Sequence, residues 1–536
     1  MAVSLNLDAR DIPLTQSGVE GFYWPLARKE QQLQRDTTLA HLTEIVRNGI
    51  VASDEDKTLL RLFYHWILAE SISLYRAAAI VRRAARDSVS VQYPRESMMY
   101  AYTQSINQQS LDSSRLVKIL AQGPVTHGAL LSPIVKSRRY LLWNGVSKTS
   151  LLGYFQKEIL ACHRTPLLDL HAKMEHRLIK QTLFEDWFQP IGHFPKNQPI
   201  RSSVIDECIE AVRVGFLAGN EVMPTSQVRY LRGLIQEMSR YVRAHYFPLM
   251  RAPSRLPKEL WTGSGGNIFS RMLRNAVRSF GGRVIGHEHG AGESHIQYFN
   301  AKPVIEYESC DTFFTYSRKG ANALNSNFDS SLHLGREAPR IESLRQLEND
   351  AFYYSSFPKT DPHQVKNIMY PTTALLGERV TLDHFLGDYV YLDWSARLIG
   401  KISEFGYTVI HKPHPGGDIQ YPTQSTASSG TTVLHEPFER VINKADAFVL
   451  DFSRSSTFPA ALASTKPIVY IDFGLESWHE DARALLESRV KIVCGYIDAR
   501  NRLQVDWDDV RQAVVDACEL TNRTIVNEYY SHLCRR

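Results

Sequence analysis

Apolar residues recur at helical spacing over 57–86, where Leu60, Phe63, Trp66, Ile67, Leu74 and Ile80 share one stripe. Arg61, Glu70 and Arg76 interrupt that stripe too often for a membrane span. The spacing predicts a buried helix with a solvated basic last turn formed by Arg82, Arg83 and Arg86. The alternative use of that turn is contact with a membrane surface. The first half as a whole reads as mainly helical. Strand-like runs appear at 140–143, 260–262, 283–287 and 312–316. Between the second and third lies 267–280, with Ile268, Met272, Leu273, Val277 and Phe280 at helical spacing. Together they predict a strand–turn–helix–strand unit. The polar stretch 335–364 predicts an interdomain link.

Beyond it the alternation is cleaner. Strands are predicted at 367–370, 407–411, 432–434, 447–451 and 467–472, and helices at 391–405, 438–444 and 457–463. The runs AFVL and PIVYI are apolar on both faces, which predicts a parallel sheet covered on both sides. The stretch 422–432 predicts a surface loop. The expected class is α/β, with residues 1–345 an N-terminal domain enlarged by helices and 346–536 a Rossmann-like C-terminal domain.

Composition changes this picture little. The 536 residues suit two to four domains, and 43% apolar against 22% charged residues describes a folded chain. Sixty-two Lys and Arg against 57 Asp and Glu give a net charge of +5, with no concentrated basic stripe, so no nucleic-acid partner is expected. Six cysteines lie scattered with no CxxC pair, which excludes zinc-knuckle spacing and a disulfide scaffold and suggests a reducing compartment. The first residues carry Asp8, Arg10 and Asp11 rather than an apolar signal region.

Five motifs carry candidate chemistry. In YTVIHKPHPGG a strand runs into Lys412 and His414, held on a turn that two prolines stiffen; an ammonium and an imidazole together suit a phosphate or carboxylate. In AFVLDFSRSSTFP a buried strand ends before Ser453, Ser455, Ser456 and Thr457, whose hydroxyls and backbone N–H groups suit an anion; the plain alternative is a Ser/Thr helix cap. Glu436 falls in the next strand-to-helix connection, where a carboxylate can take ribose hydroxyls or complement a helix dipole. GHEHGAG follows strand 283–287 and holds His287, Glu288, His289, Gly290 and, one residue on, Glu293. His-x-His spacing by itself does not define a metal site. TGSGGN, with Gly265 and Gly266, forms a strand-to-helix turn that suits an anion but lacks the P-loop Lys-Ser/Thr.

The series K-P-H-P, then E-P-F, then D-x-S-x-S-S-x-F, then K-P-I-V-Y resembles the C-terminal nucleotide-binding domain of GT-B transferases. The closest branches use cytidine nucleotides: Kdo-type and sialic-acid-type transferases of bacterial surface polysaccharides, and glycerophosphotransferases of teichoic-acid synthesis. The resemblance spans roughly 366–475, and more weakly 260–317. It implies two Rossmann-like domains facing a cleft. Lys412, His414, Ser453, Ser455, Ser456 and Thr457 would hold the nucleotide phosphates, and Glu436 the ribose. His289, Glu288 and Glu293 would be the catalytic candidates, with Glu306, Glu308 and Asp311 also in play. Gly265, Gly266, His287 and Gly290 would line the sugar and acceptor cleft. No metal or cofactor is expected, since the CMP-linked sugar is a substrate.

The expected function is transfer of an acidic sugar, Kdo or a related ulosonate, from a CMP donor to a lipid-linked or oligosaccharide acceptor of lipopolysaccharide or capsule. It would take place in the cytoplasm or at the inner membrane face. Two alternatives keep the residues and change the role: transfer of a polyol phosphate from CDP-glycerol or CDP-ribitol, and a non-catalytic nucleotide-binding assembly subunit.

Overall fold

The computed structural model describes residues 4–7, 12, 14–48, 53–92, 158–182, 187, 199–289, 294–297, 306, 308–326, 339–344, 358–375, 386–414 and 431–530. Two parallel six-stranded sheets organise them. The first contains β1 (Glu158–Cys162), β2 (Leu178–Gln181), β3 (Glu259–Thr262), β4 (Arg283–His287), β5 (Thr312–Thr315) and β6 (Arg340–Ser343) in the order 6-5-4-3-1-2. The second contains β7 (Asn367–Pro371), β8 (Thr408–Lys412), β9 (Thr431–Val433), β10 (Ala447–Leu450), β11 (Ile468–Asp472) and β12 (Lys491–Cys494) in the order 9-8-7-10-11-12. Counted from β7, the second order is the doubly wound 3-2-1-4-5-6 arrangement, with its reversal between β7 and β10. The first sheet reverses between β1 and β3. Both are Rossmann-like α/β units.

Ten helices matter here: α1 (Arg28–Asn48), α2 (Asp54–Arg86), α3 (Pro166–Met174), α4 (Ser202–Ala218), α5 (Thr225–Met250), α6 (Ile268–Ser279), α7 (Arg318–Ser326), α8 (Asp388–Glu404), α9 (Thr457–Leu462) and α10 (Thr524–Tyr529). The α2 helix starts where Ser53 accepts a hydrogen bond from Asp56 N, and three acidic residues occupy its first turn, as the dipole favours. It is buried nearly all round by α1, α4, α5 and α6. Its basic last turn is ion-paired: Arg82 with Glu221 at 2.6 Å, Arg83 with Glu30 at 2.7 Å and Glu221 at 3.0 Å, and Arg86 with Asp87 at 2.9 Å. Among the described residues no helix is long and apolar enough to cross a membrane. The five described cysteines are free thiols.

The central strand β10 is buried along its whole length, and each such Val, Leu or Phe contributes about 1.5–3 kcal/mol. Two expectations need correction. The stretch read as an interdomain link contains β6, which pairs in parallel with β5 and buries Ile341 behind exposed Arg340. The mainly helical first half also supplies β1 and β2. The strand expected at 432–434 is the edge strand β9, paired with β8, and 422–430 lies outside the described residues. The run 140–143 and the boundary at 345/346 lie outside the described residues.

The two chain ends cross between the halves. The hairpin Leu14–Thr15/Gly18–Val19 packs on α8 of the second unit, and Phe22 and Trp24 lie against Tyr389 with ring centroids 5.3 and 6.0 Å apart. Gly18 has φ of +92°, and a Cβ there would meet the Asp393 carboxylate, so glycine is required. At the other end α10 packs on α7, with Lys319 bridging Glu528 at 2.7 Å and Asp481 at 3.0 Å.

Candidate functional site

In open parallel sheets ligands bind beyond the carboxyl ends of the strands, at the reversal point. The predicted residues gather on those two edges. On the second sheet, β8 ends at Lys412. Its side chain is buried, and its ammonium donates to the Pro413 carbonyl at 2.9 Å. Among the described residues its other two N–H donors have no partner. Burial pulls the Lys412 pKa down, while the charges of Glu436 and Glu439 pull it back up. His414 stands exposed two residues on, and desolvation and the Lys412 charge hold it below the usual histidine range. Glu436 is exposed and pairs with Lys444 at 3.4 Å. Its own backbone N–H holds its carboxyl below the ordinary range, ahead of the Lys444 charge.

The loop after β10 faces the same edge. Ser455 Oγ accepts from Thr457 N at 3.2 Å in a local turn, while the N-cap of α9 is Ser456, which is exposed and makes no side-chain cap bond. Ser453 is fully buried and hydrogen-bonded to His295 and Glu476. Asp451, on which sequence reasoning placed no role, sits at the reversal point. It accepts from Tyr370 Oη at 2.6 Å and Trp394 Nε1 at 2.8 Å, and burial pushes its carboxyl up to about 6.

On the first sheet the glycine loop after β3 lies beside the end of β1. A Cβ on Gly263 would strike Thr165 and the His163 carbonyl, so the two strand ends approach as closely as backbone allows. Gly265 N donates to Glu306 Oε2 at 3.2 Å, and His289 Nδ1 lies 3.7 Å from the same oxygen. The His289 side chain is 44% exposed and Glu306 is 5% exposed, so an open imidazole stands on a buried carboxylate. His163 shares this corner. Burial first, then the charges of Arg274 and His289, hold it down at about 4. Gly266 O lies 3.3 Å from His65 Nε2 of α2, so the helical additions brace the glycine loop. Arg274 of α6 reaches Thr262 Oγ1 at 2.8 Å and the Glu306 carbonyl at 2.8 Å.

The other candidates point inward. His287 is fully buried, its Nε2 2.9 Å from His171 Nδ1. Glu288 is fully buried and accepts from Tyr316 N at 3.1 Å. Glu308 pairs with Arg271 at 3.0 Å, and Asp311 pairs with Arg278 at 2.8 Å. Among the carboxylates considered and described, Glu306 is the one beside the exposed histidine. Gly290 and Glu293 lie outside the described residues.

A separate cavity of about 1070 Å³ opens between the α2 C-terminus, residues 19–25 and 499–502. It lies away from both strand edges, and Arg82, Arg83 and Arg86 in its wall are ion-paired. Sequence reasoning missed His163, His295 and Glu476. His163 follows the apolar run EILAC, a signal visible in the sequence; His295 and Glu476 have no local signature. No family model matches this chain, and no curated protein does either.

Proposed function

We propose that this protein is a glycosyltransferase of the GT-B type that moves an acidic sugar, Kdo or a related ulosonate, from a CMP-activated donor to a bacterial surface glycan. One observation carries the reading: Lys412-Pro-His414 and the Ser455–Ser456–Thr457 loop stand on the carboxyl edge of a 3-2-1-4-5-6 sheet, the serine loop after β10 at the reversal and Lys412 at the end of β8, one strand beyond β7. Transfer of the sugar leaves negative charge on the nucleotide phosphate. A buried ammonium with two donors to give stabilises the second charge of the departing phosphate more than it stabilises the singly charged phosphodiester of the donor. Glu436, at the neighbouring strand end, would take the ribose hydroxyls. Across the cleft His289 would take the acceptor hydroxyl proton, with Glu306 stabilising the imidazolium that forms. CMP is released, and no metal is invoked.

Titration calorimetry of the full chain against CMP, CDP, UDP and GDP tests the reading. Cytidine nucleotides are expected to bind, and His414→Ala to weaken CMP by about tenfold, the worth of one charge-assisted hydrogen bond. Binding of UDP or GDP without any cytidine nucleotide would refute the donor assignment. Acceptor mass then separates sugar transfer from polyol-phosphate transfer, because only the latter adds a phosphodiester.

The same site predicts a pH dependence. His414 is held below its usual range in the free protein, and a bound phosphate favours its protonated form. Binding therefore takes up a proton, and CMP affinity should rise as pH falls from about 8 to about 7, where the phosphate, with its second pKa at about 6, still carries both charges. A pH series of calorimetry on wild type and His414→Ala checks this. A slope that survives the substitution would assign the proton elsewhere.

A further inference from the structure

A hydrogen-bond chain runs from the last helix, through His295 of the first half, into the loop after β10. It starts at Tyr530, which closes α10, with its hydroxyl 2.7 Å from His295 Nδ1. His295 Nε2 lies 2.9 Å from Ser453 Oγ. Ser453 Oγ donates to Glu476, which also accepts from Arg454 Nε at 3.1 Å and Tyr470 Oη at 3.3 Å. Tyr530, His295 and Ser453 are all fully buried.

Chemistry fixes the direction of this chain. A carboxylate only accepts, so the one Ser453 proton goes to Glu476. Ser453 Oγ then accepts from His295, and Nε2 carries the hydrogen. Burial, followed by the Arg454 and His479 charges, holds His295 at about 3, so the ring is neutral near pH 7. A neutral imidazole has one donor and one acceptor, so Nδ1 accepts from Tyr530. A single tautomer satisfies every group. The ring is also wedged between Trp478 and Phe458, with centroids 4.6 and 6.0 Å away. Its backbone docks on the second unit, where Ile296 bridges Trp478 and His479 N donates to the His295 carbonyl at 3.2 Å.

With its proton on Glu476 and its oxygen on His295, Ser453 is a strut of the loop rather than a phosphate donor. We infer that His295 is a positioning residue: its neighbour Ser294 lies against Gly320 of α7 on the first unit, while its ring fixes Ser453 and Phe458 and so sets the 453–457 loop of the second unit in its ligand-binding geometry only while the two halves are docked. The inference rests on the phosphate-site reading above for its ligand, but the loop ordering stands apart from it. Removing the ring should loosen a loop that contains none of His295's own atoms.

The test uses the full-length protein with His295→Phe, His295→Gln and Tyr530→Phe, each checked by circular dichroism. Two quantities are read: amide hydrogen exchange of 452–458 without ligand, and CMP affinity by calorimetry. His295→Phe should speed exchange and weaken CMP by about tenfold each, the scale of one buried hydrogen bond. His295→Gln, which offers one acceptor and one donor, should restore most of both. Tyr530→Phe keeps its ring and should give about threefold; it carries the test if His295→Phe does not fold. Exchange and affinity within twofold of wild type in Tyr530→Phe and His295→Phe would overturn the inference while leaving the CMP reading standing. Faster loop exchange in a protein that binds no cytidine nucleotide would support the positioning role and sink the CMP reading.

Discussion

Replacing Asp393 with alanine should destabilise the protein by about 3–5 kcal/mol, the usual result of stripping one partner from a buried ion cluster. Asp393 lies on α8 with no exposed surface. Its Oδ1 accepts from Val19 N at 2.8 Å and Arg502 Nη2 at 2.7 Å. Its Oδ2 accepts from Arg397 Nε at 3.0 Å and Arg502 Nε at 2.8 Å. Burial pulls the Arg397 guanidinium below its usual range, and Asp393 is the first group opposing that pull. Without the carboxylate, the buried Arg397 guanidinium faces that of Arg502 in the cavity wall, and the Val19 amide loses its acceptor. The damage should spread to the N-terminal hairpin, because Asp393 is the anchor by which residues 14–19 hold α8. Asp393→Asn keeps the shape and one acceptor but loses the charge, so it should fall between. Urea unfolding reads the stability and limited proteolysis reads release of the hairpin. A midpoint unchanged in Asp393→Ala, with the hairpin still protected, would show that the cluster contributes nothing net.

The second sheet was largely legible because its inner strands are covered on both faces. Burial on both sides forces contiguous apolar runs, and AFVL and PIVYI stand out from any background. The first sheet was half hidden for the opposite reason. Its edge strands β2 and β6 read LIKQ and RIES, polar enough to pass for turns, since each has one neighbour and an exposed side. The site divides in the same way. His289, Gly265, Lys412, His414 and Ser455 sit on strand ends beside glycines, prolines or small residues, and that local chemistry marks them. The partner of His289 is Glu306, seventeen positions on, where the chain returns to the same corner. The acceptors of Tyr370, Ser453 and Tyr530 lie 81, 23 and 235 positions away. Such pairings are made by the topology of the sheets and leave no spacing to read. Burial was equally hidden: His287 and Glu288 have the composition of a catalytic loop, yet one face of their turn packs against His171 and Tyr316.

Asp451 predicts the largest pH effect. It is buried at the reversal point of the second sheet, where Tyr370 and Trp394 both donate to Oδ2. Burial raises its carboxyl from the ordinary 3.8 to about 6. Its folded form therefore holds its proton more tightly than the unfolded chain does. Below about pH 4 both forms are protonated and the group costs nothing. As pH rises through 4 to 6 the unfolded chain releases its proton first, so stability falls, and above 6 the loss levels off. At 1.36 kcal/mol per pH unit the whole loss is about 3 kcal/mol. Asp451→Asn should erase that slope: it keeps an oxygen for both donors and never ionises, although its buried NH₂ needs an acceptor of its own. Asp451→Ala should also lack the slope but cost about 2–4 kcal/mol at every pH, because the Tyr370 hydroxyl and Trp394 indole are left unsatisfied. Other carboxylates titrate in the same window, so the informative quantity is the difference between wild type and Asp451→Asn in urea unfolding at pH 4, 5, 6 and 7. A constant difference across that series would mean the carboxyl holds its proton no more tightly in the folded protein than in the unfolded chain. Tyr370 and Trp394 would then be strong enough as donors to offset the burial of a charge.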